Sequence, residues 1–503
     1  MENILKYSQV EVFEKLPKLS HMANFLEDIH SCYGDKVATI DALGAKTYND
    51  LYTDTSKIVT ILNHIEAKKH VVVYCQNNYN FVRVALAIMA SGKVAVLLPA
   101  QLDDKTLYGC LMKYQASAII FENATKANTV FASQMLQNVE FYNIDEVDFD
   151  SIKQSSYNFD INELDPACIV LTGGTTGRSK GAILSHKALL TGTKNGIYAV
   201  PYVFDETYFS IIPLTHVFGL IRNLLTCLYT GCKVEFCIDM KGMFKQLPVA
   251  KPSILILVPA LAELFLNLIK QFGMGIVGGN LKMIICGGAS VPPYLTLEYD
   301  KLGVKMFPGY GLTESANLVS GNPNQIEKPF SVGLLYPGIE VKVVDQELWL
   351  KGDNMMSGYF NEPTENELAY SDGWFKTGDL VEFDEEGFLY IIGRIKDIII
   401  LSNGENVSPA YIEAKINDIE VVQDSLVRSF KTEIGTEVLA VEILPRKSEV
   451  VKLGITDLES YLQSEIDKVN ETLLPHERIQ KIIVRTEDFK RSPSMKIIRP
   501  RGE

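Results

Sequence analysis

The sequence predicts an α/β protein: a large N-terminal domain of two α/β subdomains plus a β-rich subdomain, followed by a small mobile α+β C-terminal domain. Three observations point there. Short β-branched runs alternate with longer amphipathic segments, the pattern of parallel strands joined by crossover helices. That alternation occurs in two separate stretches. After about residue 311 the helices thin out, and past residue 397 the texture changes once more.

In the first stretch HVVVYC (70–75), KVAVLLPA (93–100) and SAIIFE (117–122) read as strands, with helices at NFVRVALAIMASG (80–92) and DKTLYGCLMKYQ (104–115). The strands are apolar almost without interruption, as in sheets covered on both faces. The second stretch has strands at TYFSIIPL (207–214), KVEFC (233–237), SILILV (253–258), LKMIICGG (281–288) and VKMFPGYG (304–311). Between them FGLIRNLLTCLYTG (218–231), LAELFLNLIKQF (261–272) and PYLTLEYDKLG (293–303) have helical spacing. VGLLYPGIEVKVVD (332–345) and ELWLKG (347–352) then suggest antiparallel β structure.

The last part carries a helix from Ser408, strands at 422–430 and 437–444, a long helix from Asp457 and a strand at 481–485. At 503 residues the chain is too long for one core. We divide it into 1–395 and 396–503, the second being a normal size for a small domain.

Composition narrows the function classes. A net charge of −14 argues against a nucleic-acid or anionic-membrane surface, since both reward clustered Lys and Arg. The most apolar segment, ILILVPALAELFLNLI from Ile254, is broken by Pro259, Glu263 and Asn267 and falls short of a membrane span, which takes about 20 residues. It reads as a buried strand running into a core-facing helix. No secretory signal opens the chain. The eight cysteines form no CxxC pair and read as small buried hydrophobes in a reducing cytoplasm. Seven scattered histidines make no metal spacing.

The stretch LTGGTTGRSKG (171–181) follows an apolar strand. Glycine lets a backbone approach phosphate oxygens closely, and the threonine hydroxyls and two cations suit an anion. The spacing is neither that of a Walker A loop nor GxGxxG, and in isolation a flexible surface turn would explain it. Four further motifs follow in order: GYGLTES (309–315), KTGDL (376–380), GRIKDIIILSNGENVSP (393–409) and RSPSMKIIR (491–499). Together with the loop they resemble the signature series of the adenylate-forming superfamily, which holds acyl- and aryl-CoA synthetases, luciferases and the adenylation domains of peptide synthetases. The resemblance runs from TYNDL at Thr47 to the C-terminal lysine.

It implies a two-step reaction. A carboxylate attacks the α-phosphate of ATP, pyrophosphate leaves, and a thiol then displaces AMP from the acyl-adenylate. On that resemblance Thr172, Gly173, Gly174, Thr175, Thr176, Gly177 and Lys180 hold the departing pyrophosphate. Glu314 is the Mg²⁺ ligand, Thr313 reaches the α-phosphate, and Tyr310 with Gly311, Gly288 and Ala289 frames the adenine. Asp379 and Arg394 meet the ribose, Lys496 bridges carboxylate and α-phosphate, and His216 stands at the mouth of the acyl pocket. Gly309, Gly311 and Phe218 line that pocket. Lys396 matches the hinge on which the small domain swings, withdrawing Lys496 and bringing Gly404 in the thiol-transfer loop to the site. Taken one at a time, most of these are ordinary solvated or core residues; their order and spacing carry the assignment.

Several positions depart from the family pattern. Gly173 stands where serine is common, Ser179 where proline is usual, and Met495 where a glycine normally precedes the lysine. Asp345–Gln346 replaces a longer loop. LTHVF (214–218) has no carboxylate of the kind that amino-acid-activating members use for the substrate ammonium, which favours a plain organic acid. The expected protein is a cytoplasmic ATP- and Mg²⁺-dependent carboxylic acid:CoA ligase. A stand-alone enzyme loading the phosphopantetheine of a separate acyl carrier protein is the alternative. A catalytically degenerate nucleotide-binding protein is a third reading, against which the retained charged residues weigh.

Overall fold

The structure, a computed structural model, describes residues 4–8, 16–17, 19–157, 160–172, 179–401, 405–431, 437–491 and 497–499. Two large sheets, a smaller β-rich unit and a compact C-terminal unit are built from these residues. The architecture is the expected one.

The seven-stranded sheet runs, edge to edge, Gly358–Tyr359, Gly181–Ser185, Pro166–Leu171, Val94–Leu97, His70–Tyr74, Ala116–Phe121 and Glu140–Asn143. Its five strands from Pro166–Leu171 to Glu140–Asn143 pair in parallel. The helix Tyr79–Ala90 is buried at every residue, which its nearly unbroken apolar sequence requires. The Asn78 side chain caps it by accepting from the Phe81 N–H. Its single charge, Arg83, lies over the Phe149 ring and bonds to Asn80.

The nine-stranded sheet runs Leu334–Leu335, Ser320–Gly321, Lys305–Tyr310, Met283–Cys286, Ile254–Leu257, Thr207–Ser210, Lys233–Phe236, Val37–Asp41 and Gly44–Thr47. The two sheets are not consecutive in the chain. Val37–Asp41, which precedes every strand of the first sheet, pairs in parallel with Lys233–Phe236 of the second and carries Gly44–Thr47 at that sheet's edge. The chain therefore begins in one layer, builds the other and returns. The helix Tyr48–Leu62 that follows is entered through a capping box between Thr47 and Asp50.

Two segments differ from the sequence expectation. Within 218–231, residues Gly219–Leu225 form a π-helix, continued by a short α-helix, Thr226–Tyr229. Gly219 is required there, because a Cβ would lie 2.2 Å from the Pro213 carbonyl oxygen. The helix His186–Asn195 has no clear signal in the sequence, since HKALLTGTKN carries a glycine and little apolar periodicity. The cysteines are free, and five are buried, but Cys32 is exposed at the end of a surface helix and Cys110 and Cys237 are half-buried.

The β-rich unit centres on the hairpin Ile339–Val344 and Glu347–Gly352. Its two-residue turn, Asp345 and Gln346, has φ of 50° and 66°, the left-handed pair that matches strand twist. The C-terminal sheet holds Val422–Lys431, Glu437–Pro445 and Lys481–Val484. With the helices Pro409–Ile416 and Leu458–Glu471 it encloses a core of its own, including Val407, Ile412, Val441 and Leu462. Arg446 of this unit reaches Glu263 on the helix Pro259–Phe272 at 2.5 Å and lies 4.1 Å from the Tyr294 ring centre.

Candidate active site

The strands Pro166–Leu171, Met283–Cys286 and Lys305–Tyr310 end on one side of the molecule, and Thr172, Gly288, Tyr310 and Glu314 line a common cleft there. Ligands of open α/β sheets bind outside the carboxyl ends of strands. The cleft encloses about 3350 Å³, several times a single small-ligand pocket. His216, Phe218, Lys180, Asp379, Arg394 and Lys396 open into it as well.

Its most tightly organised part joins three motifs. The Tyr310 hydroxyl donates to the Asp379 carboxylate at 2.5 Å, and Arg394 Nε stands 2.6 Å from Oδ1 of the same carboxylate. The β register dictates the second contact: Asp379 lies directly opposite Arg394 in an antiparallel pair. Asp379 is fully buried, yet Oδ1 receives no aligned hydrogen bond. The carboxylate is thus buried and held from two directions, by the Tyr310 hydroxyl and the Arg394 guanidinium. Burial pushes its pKa up, and Arg394, Tyr310 and Lys396 act against that. Burial, then Asp379, holds the Tyr310 phenol well above its ordinary range. Burial also lowers Lys396, with Arg394 adding to the effect.

The turn before Asp379 is fixed by its surroundings. Gly378, at φ 70°, donates its N–H to Glu347, and the Asp379 N–H donates to the Thr377 hydroxyl. Gly311 is equally constrained, since a Cβ there would overlap the Asn317 carbonyl.

Glu314 sits on the short turn Thr313–Ser315 and accepts from the Tyr359 hydroxyl at 2.6 Å. Burial and then Glu314 raise the Tyr359 phenol far above its usual range, so it remains a donor. Lys180 lies 4.4 Å from the Tyr359 ring centre and forms an ion pair with Glu365 at 2.6 Å. Thr172 and Lys180 form the neck of the glycine-rich loop: the Thr172 N–H donates to the Lys180 carbonyl, and Ser179 Oγ donates to the Thr172 carbonyl. Gly173, Gly174, Thr175, Thr176 and Gly177 lie outside the described residues, as do Gly404 and Lys496.

Elsewhere along the cleft, His216 Nδ1 accepts from the Phe218 N–H at 3.2 Å, and the Phe218 ring faces Gly287. Asn77 clamps this segment to the first sheet by bonding Ile212 and Leu214. Gly309 and Ala289 share the cleft wall.

The family profile for AMP-binding enzymes matches residues 26–360, and that for the AMP-binding enzyme C-terminal domain matches 396–503. The chain belongs to the AMP-binding enzyme family. Among its relatives is 4-coumarate–CoA ligase-like 8 of Arabidopsis thaliana, 30% identical over 360 residues. That match takes in 67% of this chain and only 62% of the relative. A long-chain-fatty-acid–CoA ligase of Bacillus subtilis is 26% identical over 510 residues, covering 88% of this chain and 89% of its own. Among solved structures, the anthranilate CoA ligase AuaEII in complex with anthranoyl-AMP superposes with a TM-score of 0.83 at 18% identity, over 96% of this chain and 97% of that one.

In this AMP-binding enzyme, sequence reasoning missed Tyr359, Glu365 and Glu347, each of which holds a motif residue or its backbone in place. Tyr359 lies 45 positions from Glu314, and no local spacing announces the pairing. Among the described residues no helix of this AMP-binding enzyme is long and apolar enough to cross a membrane, and no group of three or more His, Cys, Asp or Glu side chains could hold a metal ion.

Proposed function

We propose that the protein activates a carboxylic acid with ATP, releasing pyrophosphate and forming an acyl-adenylate, and passes the acyl group to the thiol of CoA. The observation that carries this reading is that Tyr310, Asp379 and Arg394, joined to one another, line the same cleft as Thr172, Lys180 and Glu314. The Asp379 carboxylate suits a ribose hydroxyl, which is a donor, and Arg394 beside it favours the charged form.

In this reading the Tyr310 ring, Gly311, Gly288 and Ala289 frame the adenine. Thr313 faces the α-phosphate. Lys180 leaves Glu365 for the triphosphate, joined by Gly173, Gly174, Thr175, Thr176 and Gly177. Glu314 supplies a hard oxygen ligand for Mg²⁺, and with no acidic cage among the described residues the remaining ligands would be phosphate oxygens and water. Bound there, the ion neutralises phosphate charge. Lys496 enters between carboxylate and α-phosphate, where positioning and charge neutralisation do most of the catalysis. The domain division at 395/396, with Lys396 as its hinge and Gly404 approaching for thiol transfer, belongs to the same proposal, as does a cytoplasmic location.

Pyrophosphate release measured across a panel of carboxylic acids, with and without CoA, tests the reading. Turnover that requires CoA and accumulates thioester is the expected result. A single turnover unaffected by CoA would assign the acyl group to a carrier protein instead. No release with any acid would return the chain to the nucleotide-binding reading without catalysis.

A further inference from the structure

The π-helical segment Gly219–Leu225 carries a charge that the reaction above does not use. Arg222 is 2% exposed and lines the same cleft as His216 and Phe218. Its Nη1 donates to the Gly196 carbonyl, at the C-cap of the helix His186–Asn195. Its Nε has no hydrogen-bond partner, and among the described residues no carboxylate pairs with the guanidinium. Tyr208 and Tyr336 feel its field, but burial raises both phenols, so neither supplies a negative charge.

A second orphan donor lies on the same cleft. Asn317 is 8% exposed, and its Nδ2 has no partner. It is held in a left-handed conformation at φ 77°, after Ala316 at φ 44°. Ala316 in turn packs against Gly192 of the helix that Arg222 caps; a Cβ on Gly192 would lie 2.6 Å from its carbonyl oxygen. Backbone and helix thus fix where the Asn317 amide stands.

An unpaired buried guanidinium is costly, and helix capping through Nη1 leaves its Nε unsatisfied. A ligand carboxylate would complete it in the geometry that arginine favours. Two donors without acceptors, on residues that line the cleft which the reading above gives to the nucleotide and the acid, suit an anion carried on the acid itself. We propose that the substrate is a dicarboxylic acid, activated at one carboxyl group and held by Arg222 and Asn317 at the other. This rests on the adenylation reading given above and specifies its substrate class.

The test compares matched pairs, each a dicarboxylic acid of graded length and its monomethyl ester, in pyrophosphate release by the full chain. The wild type should prefer the diacid of the fitting length over its ester by on the order of 100-fold in kcat/KM. Arg222→Met should bring that ratio to about one, Arg222→Lys should retain part of it, and Asn317→Asp should lower it by charge repulsion. A purely structural Arg222 would lower both members of a pair in parallel and leave the ratio standing, which overturns the proposal. A wild type that turns over monocarboxylic acids and esters as well as diacids also overturns it, while leaving the adenylation reading intact. If no acid releases pyrophosphate, the adenylation reading fails on its own. Calorimetric titration of diacid against monoester then decides: selective diacid binding lost in Arg222→Met supports the site, and equal binding refutes it.

Discussion

Tyr310 and Asp379, 69 positions apart, share a hydrogen bond of 2.5 Å that ties the end of a parallel strand in one sheet to the β-rich unit beside it. Arg394 closes the arrangement from the next strand. The two motifs meet only because the strand Trp374–Phe383 presents Asp379 toward the cleft.

Asp379→Asn keeps the shape but loses the charge that faces the proposed ribose. Hydrogen bonds to charged groups are worth about 1.5–3 kcal/mol. The variant should therefore raise the KM for ATP roughly 10- to 100-fold, read from pyrophosphate release against ATP concentration. An unchanged KM would remove Asp379 from the nucleotide site.

Tyr359→Phe removes the donor that orients Glu314. Outer partners of metal-bound carboxylates typically contribute about 10- to 100-fold in metal affinity. Half-saturation by Mg²⁺ should shift upward by at least the lower figure, with a smaller effect on the KM for the acid. An identical Mg²⁺ titration curve would argue that Glu314 does not serve the ion.

Lys496→Ala should slow adenylate formation by a factor matching about 3–4 kcal/mol while sparing thioester formation from a supplied acyl-adenylate. A bulky side chain at Gly404 should do the reverse. Equal loss of both half-reactions in both variants would be incompatible with a swing about Lys396.

His186 is fully buried, accepts from the Met22 N–H through Nδ1 and leaves Nε2 without a partner. Burial lowers its pKa from 6.5 to about 4, with His21 adding to the shift. The unfolded chain takes up the proton first, so the stability this neutral ring contributes is complete above about pH 6.5 and is lost as the pH falls toward 4. The loss amounts to about 3 kcal/mol. Thermal unfolding followed from pH 7 to pH 4 should show a steeper decline in the wild type than in His186→Gln; parallel curves would rule His186 out as the cause.

Much of the fold and of the cleft is legible in the amino-acid sequence alone. Central strands such as Val94–Leu97, Ile254–Leu257 and Met283–Cys286 are buried on two faces, so they read as apolar runs with clear ends, and five motifs in order mark the cleft. What stays hidden depends on distance along the chain. Nothing local shows that Val37–Asp41 joins the sheet built around Thr207–Ser210, because its partner lies nearly two hundred residues away and alternation looks the same in either sheet. Arg222 reads as an ordinary helix residue in FGLIRNLL; only packing turns it toward the cleft without an acid beside it. The helix His186–Asn195 is hidden for another reason, since burial against Ala316 and Arg222 lets small and polar residues stand in its interior.

A ribosome delivers the strand Trp374–Phe383 only after the last strands of both large sheets, Leu334–Leu335 and Gly358–Tyr359, have emerged, and Leu389–Arg394 later still. Folding follows synthesis from the N-terminus. A nascent chain can therefore complete its parallel layers while the Tyr310 hydroxyl still lacks its acceptor. On the nucleotide reading proposed above, ATP gives such a half-made protein no stabilisation through a carboxylate it does not yet possess.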